Sequence, residues 1–240
     1  MKKSRWSIIH EDDDIIVINK PAGWLTLPDR FDPNKENLLK SLESYRGEIF
    51  VNHRLDRETS GLIVFSKNAE SHKNLQDQFE QGEVDKHYLA IVLGIPPLEV
   101  GQIDLKLKYS NGHKRTLIDD SGKPSLTKFR ILNAWDMFSL LEVKIMTGRT
   151  HQIRAHMKAI GHPLMCDELY GDGVPFLLSR FKRKYNRDQE QHERPLLSRT
   201  ALHAFQLAFK HPSTGEDMHF EEDMPKDMRA VVYQLDKLSS

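Results

Sequence analysis

What most constrains the fold of this 240-residue chain is the length of its apolar runs. They are strand-length and no longer: IIVI at 15–18, GLIVF at 61–65 and LAIVL at 89–93. A membrane-crossing helix needs roughly 20 apolar residues in a row. Between and beyond these runs lie stretches with helical spacing, NLLKSLESYRG (37–47), AESHKNLQDQFEQG (69–82), RTHQIRAHMKAIG (149–161) and MPKDMRAVVYQL (224–235). In the first, apolar residues recur at 38, 39, 42 and 45; in the second, Ala69, His72, Leu75 or Gln76, and Phe79 share a side; in the third, Ile153, Met157 and Ile160 form the buried face. From 101 to 147 the pattern stays β-rich, with GQIDLKLKY, a turn at SNGHK, then LTKFRIL and FSLLEVKIM. Strands and helices mix without regular βαβ alternation. The expected class is therefore α+β, a single mixed, largely antiparallel sheet flanked by helices and loops, in one domain spanning 1–240.

Composition narrows the function classes. An apolar content of 38% supports a packed core, and 29% charge points to a soluble protein. The N-terminus MKKSRW lacks the apolar segment of a secretory signal. Cys166 is the one cysteine, which excludes an internal disulfide and fits a reducing, cytoplasmic setting. Net charge is zero, but it is segregated: EDDD (11–14) and EED (221–223) are acidic, whereas SRFKRKYNR (179–187) is basic. That basic run, with Arg180, Lys182, Arg183 and Lys184, is either a solvated face or an RNA contact.

Several chemistries fail on spacing. No G-x-x-x-x-G-K-[ST], G-x-G-x-x-G or G-x-S-x-G is present. His151 and His156 stand five apart, off a common helix face, so no metal site is expected there. Cys166 in PLMCDE has no nucleophile signature and reads as a small buried thiol.

The unusual stretch is HRLDRETSGLIVF (53–65), which packs charge, imidazole and hydroxyl in front of a strand. Asp56 is either tied to Arg54 or Arg57 in a surface loop or is chemically active. Two other segments supply possible companions: GRTHQIRAH with Arg149 and Arg154, and KHYLAIVLG with Tyr88, which otherwise reads as a core aromatic with its hydroxyl at the rim. An Arg beside the Asp would keep the carboxylate ionised.

These segments carry a resemblance. HRLDRETSG resembles the H-R-L-D-x-x-T-S-G motif of the RluA-type RNA pseudouridine synthases. KHYLAIVLG is similar to that family's K-x-Y-x-A-x-V-x-G strand, at Lys86, Tyr88, Ala90, Val92 and Gly94, and GRTHQIRAH to its G-R-T-H-Q-I-R-x-H segment. NKPAGWLTLP resembles the K-P-x-G block, and LHAFQLAFKHPSTGE the closing L-H-A-x-x-L-x-F-x-H-P-x-T-G-E. The five blocks occur in family order over residues 19 to 216, inside a motif-bearing core of about 8–222.

The resemblance implies a pseudouridine-synthase-like catalytic domain that isomerises specific uridines in ribosomal or transfer RNA to pseudouridine. Asp56 stands at the essential aspartate, Tyr88 at the tyrosine that stacks on uracil, and Arg154 at the arginine that pairs with the aspartate. Whether the aspartate attacks C1′ or promotes a glycal stays open. One carboxylate suffices because no water is activated, and no cofactor or metal is required. Arg54 matches the residue that fills the gap left by the extruded base. Arg57, Arg149 and His53 are further candidates for RNA contact and base flipping, with His53, Thr59 and Ser60 also available to shape the loop. Many members carry an S4-type RNA-binding domain ahead of the K-P-x-G block. Here that block begins at residue 20, so a stand-alone catalytic domain is expected, with residues 171–198 as a lid or RNA clamp. The competing reading is an RNA-binding assembly factor on the same scaffold. A monomer is the default.

Overall fold

A computed structural model of the chain describes residues 6–29, 31–32, 34–182, 185 and 193–239. In chain order the elements are β1 (Ser7–Glu11), β2 (Ile15–Lys20), α1 (Leu38–Arg46), β3 (Phe50–Val51), β4 (Ser60–Ser66), α2 (Ala69–Gln81), β5 (Asp85–Leu93) and β6 (Val100–Asp104). There follow β7 (Leu107–Ser110), β8 (Arg115–Ile118), β9 (Leu126–Trp135), β10 (Phe138–Ile145), α3 (Gln152–Ala159), β11 (Leu202–Lys210), β12 (Asp217–Glu221) and α4 (Lys226–Ser239). Among the described residues ten strands form a mixed, largely antiparallel sheet, with β7 and β8 a separate hairpin, so the α+β class is correct. The chain divides into two compact units, Met1–His87 with His203–Asp223, and Tyr88–Leu202 with Met224–Ser240.

In the first unit the strand order is β1-β2-β4-β11, with β3 paired to β4 and β12 to β11. Every residue of β4 is buried, as befits SGLIVFS, apolar on both faces. Its pairing with β11 is the parallel one, in the register His203↔Ser60 and Ala204↔Gly61. Ile15, Val17, Leu62, Val64, Leu75, Leu207 and Phe209 fill the core. Both helices start on an Asn cap and stop at Gly. The Asn37 side chain accepts from the Lys40 N–H and that of Asn68 from the Ser71 N–H, while Gly47 and Gly82 close the far ends at positive φ. In α2 the buried residues are Ser71, Leu75 and Gln78; of the residues that share a side by spacing, Leu75 is buried and Ala69 is exposed.

In the second unit β5, β10, β9 and β6 are neighbours in that order. Ile91, Trp135, Phe138, Leu140, Met165 and Phe176 pack with Met228, Val231 and Leu235 of α4. GQIDLKLKY, which reads as one strand, is two: it breaks at Leu105–Lys106, and β7 leaves to pair with β8. The helix expected over 149–161 is shorter. His151 adopts a left-handed backbone (φ 53°), so α3 starts at Gln152 and Arg149 lies in the preceding turn. Nor is α3 buried on one face only, since Gln152 to Met157 are all buried.

Candidate functional site

The loop that carries Asp56 belongs to the first unit and is fixed from behind. Lys20, 0% exposed, ends β2 and aims its ammonium at the loop backbone, donating to the carbonyls of Thr59 (2.7 Å), Arg57 (3.0 Å) and Pro21 (3.1 Å). The Thr26 hydroxyl donates to the Leu55 carbonyl (3.0 Å) and accepts from the Leu55 N–H (3.2 Å). The Gly23 N–H reaches the Arg57 carbonyl at 2.8 Å, and the Thr59 N–H turns back to the Asp56 carbonyl at 3.1 Å. The backbone on both sides of Asp56 is thus immobilised by buried donors, while the Asp56 side chain is half-buried and Arg54 and Arg57 are exposed. The Arg57 Nε donates to the Gly23 carbonyl (3.2 Å) and faces Glu58 at 3.5 Å.

After the loop, the Ser60 hydroxyl bonds Nδ1 of buried His203 (3.0 Å), whose Nε2 reaches the Glu222 carbonyl (3.2 Å). Gly61 is held at φ +111°, and a Cβ there would sit 2.1 Å from the Ala204 carbonyl oxygen, so the parallel contact requires glycine. His53 turns inward. Its ring stacks on Phe79 with centroids 4.7 Å apart, and Nε2 accepts the Val64 N–H at 3.1 Å. Burial, with the Lys86 cation nearby, pushes its pKa down to about 3, so it is neutral. Lys86 itself is buried over the Phe79 ring, and burial lowers its pKa as well.

The other candidates lie in the second unit. Tyr88 is buried in β5. Arg154 is buried on α3 and holds Asp167 in a two-pronged pair, Nε to Oδ2 at 2.6 Å and Nη2 to Oδ1 at 2.8 Å. Asp167 also accepts the N–H groups of Leu169 and Tyr170, and the guanidinium carbon sits 5.0 Å from the Tyr170 ring centroid. Tyr170 in turn bonds His151 Nδ1 (3.1 Å). Such a fork with a fully buried carboxylate fixes the plane of the guanidinium. Sequence reasoning missed Lys20, Thr26, Asp167 and Tyr170 as supports. Lys20 was signalled by the K-P-x-G block, whereas D-E-L-Y at 167–170 offered no periodic or charge cue.

Arg180 and Lys182 are exposed; Arg183 and Lys184 lie outside the described residues. The 171–198 segment is anchored at its base, because Phe176 exchanges backbone bonds with Leu196 and Leu197 and its ring stacks on Phe181 at 4.8 Å. Asp12, Asp14 and His211 bring possible metal ligands within 4.8 Å of one another. All three are engaged in hydrogen bonds that shape turns: Asp14 with Asn68 and Ser71, Asp12 with the Asp14 and Ile15 N–H groups, and His211 with the Ser213 and Thr214 N–H groups. Cys166 is buried, its thiol pushed up to about 11 by desolvation. Among the described residues no helix is long and apolar enough to cross a membrane.

Known proteins resemble this arrangement throughout. The family described as RNA pseudouridylate synthase matches residues 14–159. Ribosomal large subunit pseudouridine synthase D of Zymomonas mobilis is 35% identical over 246 residues, covering 95% of this chain and 72% of that protein. Among solved structures, human RNA pseudouridylate synthase domain containing 1 superposes with a TM-score of 0.67 at 25% identity, over 98% of each chain. Human RNA pseudouridylate synthase domain containing 4 shares the fold at a TM-score of 0.70, with 21% identity over 96% of this chain and 93% of that one. The blocks quoted from the sequence and these likenesses over nearly its whole length lead to one conclusion: the chain belongs to the RNA pseudouridine synthases, enzymes that isomerise uridine in RNA to pseudouridine.

Proposed function

We propose that the RNA substrate is ribosomal, from the large subunit, that residues 1–240 act as one catalytic domain, and that Asp56 is the catalytic carboxylate. The substrate class follows from the printed name of the Zymomonas mobilis relative. The observation that carries the role of Asp56 is the cradle described above. Buried Lys20 and Thr26 tie down the carbonyls flanking a half-buried carboxylate, and such investment in one acidic loop serves pre-organised chemistry.

In this reading the uridine is extruded from its stack at a cost of a few kcal/mol, which RNA contacts offset. Exposed Arg54 fills the space left behind, Arg57 and Arg149 support binding and flipping, and His53 shapes the loop from within. Asp56 acts at the ribose as the N1–C1′ bond breaks; the uracil turns, C5 bonds C1′, and the C5 proton leaves while N1 gains one. The product is an isomer, so atoms balance without water, metal or cofactor. Tyr88 stacks on the ring and takes the C5 proton. Arg154, its plane set by Asp167, is the arginine partner of the catalytic carboxylate. Arg180 and Lys182 contact phosphates. The enzyme works as a monomer in the cytoplasm.

The test is Asp56→Asn. The variant folds and binds a large-subunit ribosomal RNA transcript like the wild type, yet makes no pseudouridine detectable by mass spectrometry. Product from this variant removes Asp56 from its role. Mapping pseudouridine in cells with and without the gene identifies the target uridine, and a change confined to another RNA class overturns the ribosomal assignment.

A further inference from the structure

In the second unit a cavity of about 400 Å³ opens where the β7–β8 hairpin meets the Gly148–Thr150 turn ahead of α3. The hairpin is seated by Leu107, buried with Ala155 and Tyr170. Thr116 of β8 locks it to the turn, its hydroxyl donating to the Thr150 carbonyl and its N–H to the Tyr170 hydroxyl, both at 2.7 Å. Lys123 is brought alongside by a reciprocal pair of backbone bonds with Leu107, each 2.9 Å. That bridge needs glycine at 122, where a Cβ would lie 2.6 Å from the Leu107 carbonyl carbon and 2.8 Å from the Asp119 oxygen.

The wall so built is cationic. Lys108, Lys123 and Arg149 line the cavity, and none of its lining residues carries a carboxylate. Lys108 is partly committed, donating to the Ser121 hydroxyl at 2.9 Å with Asp119 at 3.8 Å. Arg149 is not satisfied. Its Nε is buried and has no hydrogen-bond acceptor among the described residues, although its backbone N–H is taken by the Gln152 side chain at 3.1 Å. A buried guanidinium donor left without an acceptor costs free energy that a bound oxyanion would recover. Guanidinium and ammonium groups around one cavity are the donor set that recognises phosphate. Lys108 and Lys123 are exposed at the rim, so a chain can continue past the cavity, as a phosphodiester requires.

We propose that this cavity is a phosphate-binding site that holds a backbone phosphodiester of the RNA. The assignment rests on the reading of RNA as the substrate. It is tested by measuring the dissociation constant for a large-subunit ribosomal RNA transcript as a function of KCl concentration. The proteins are the wild type, Arg149→Gln and the double variant Lys108→Gln/Lys123→Gln. Each variant binds roughly tenfold more weakly near physiological salt, with a log–log salt slope shallower by about one. The exposed lysines keep the test valid if Arg149→Gln fails to fold. Wild-type affinity and slope in the folded variants overturn the proposal. So does thermal stabilisation by inorganic phosphate that is lost in the variants while RNA binding is unchanged, which assigns the cavity to the free anion. Pseudouridine formation by the wild type is scored on the same transcript. Its absence refutes the ribosomal substrate, whereas product with an unaltered salt slope refutes the cavity alone.

Discussion

His53 lies three residues before Asp56, yet its environment is that of a core group. The ring accepts a backbone N–H of β4 and packs on Phe79, so protonation would break a hydrogen bond and bury a charge near Lys86. Its pKa of about 3 predicts an imidazole still neutral at roughly pH 5, where an unperturbed one is mostly charged. Ring-nitrogen NMR checks this, and a charged ring at that pH contradicts the stacked, accepting geometry. Because the folded value lies below the unfolded one, the linked stability is full above about pH 6.5 and is lost as pH falls towards the folded value. Asp167 makes a second residue-level prediction. Replacing it with Asn leaves Arg154 buried beside a neutral amide, at a cost of about 3–5 kcal/mol. Urea unfolding measures this, and Asp167→Glu loses less because the charge remains. Neither environment was legible from sequence: His53 sits inside a charged motif, and Asp167 follows Cys166 in an irregular stretch. Only the folded chain shows that one faces a strand and the other a guanidinium.

At the level of elements, what could be read was whatever is encoded locally. The two Asn-to-Gly helices, α1 and α2, are bounded by their own caps, and the apolar character of GLIVF and LAIVL marks interior strands. Asn68→Ala removes the acceptor for the Ser71 N–H and costs about 1 kcal/mol, read from the urea midpoint. What could not be read depends on distant partners. GQIDLKLKY keeps alternating through Leu105, and the break arises because the Leu105 N–H bonds the Ser125 carbonyl and the Leu107 N–H that of Lys123. The start of α3 is displaced by a left-handed His151, a conformation that a histidine gives no warning of. The contact between β4 and β11 yields the sharpest test of an element. Gly61→Ala combines a strained φ with a backbone clash and is expected to cost about 3 kcal/mol or more, enough to abolish accumulation of folded protein.

For the whole molecule, the α+β class was legible because mixed periodicities without regular alternation leave few other architectures. The division into two compact units, each made of two separated segments, was not, since nothing local marks residues 203–223 as belonging with residues 1–87. Acid stability integrates several sites. Asp14, held by Ser71 and Asn68 hydrogen bonds, has its pKa lowered to about 2, so its contribution is full above its ordinary range and fades as pH falls towards that value. Unfolding midpoints are therefore expected to drop between about pH 4 and 2, and less so in Asp14→Asn. The bond between Ser60 and His203 spans 143 residues of chain. While the polypeptide is being made, β4 must wait, with one flank unpaired, until residues 203–204 have been translated. Slow maturation and reliance on holding chaperones follow from that delay.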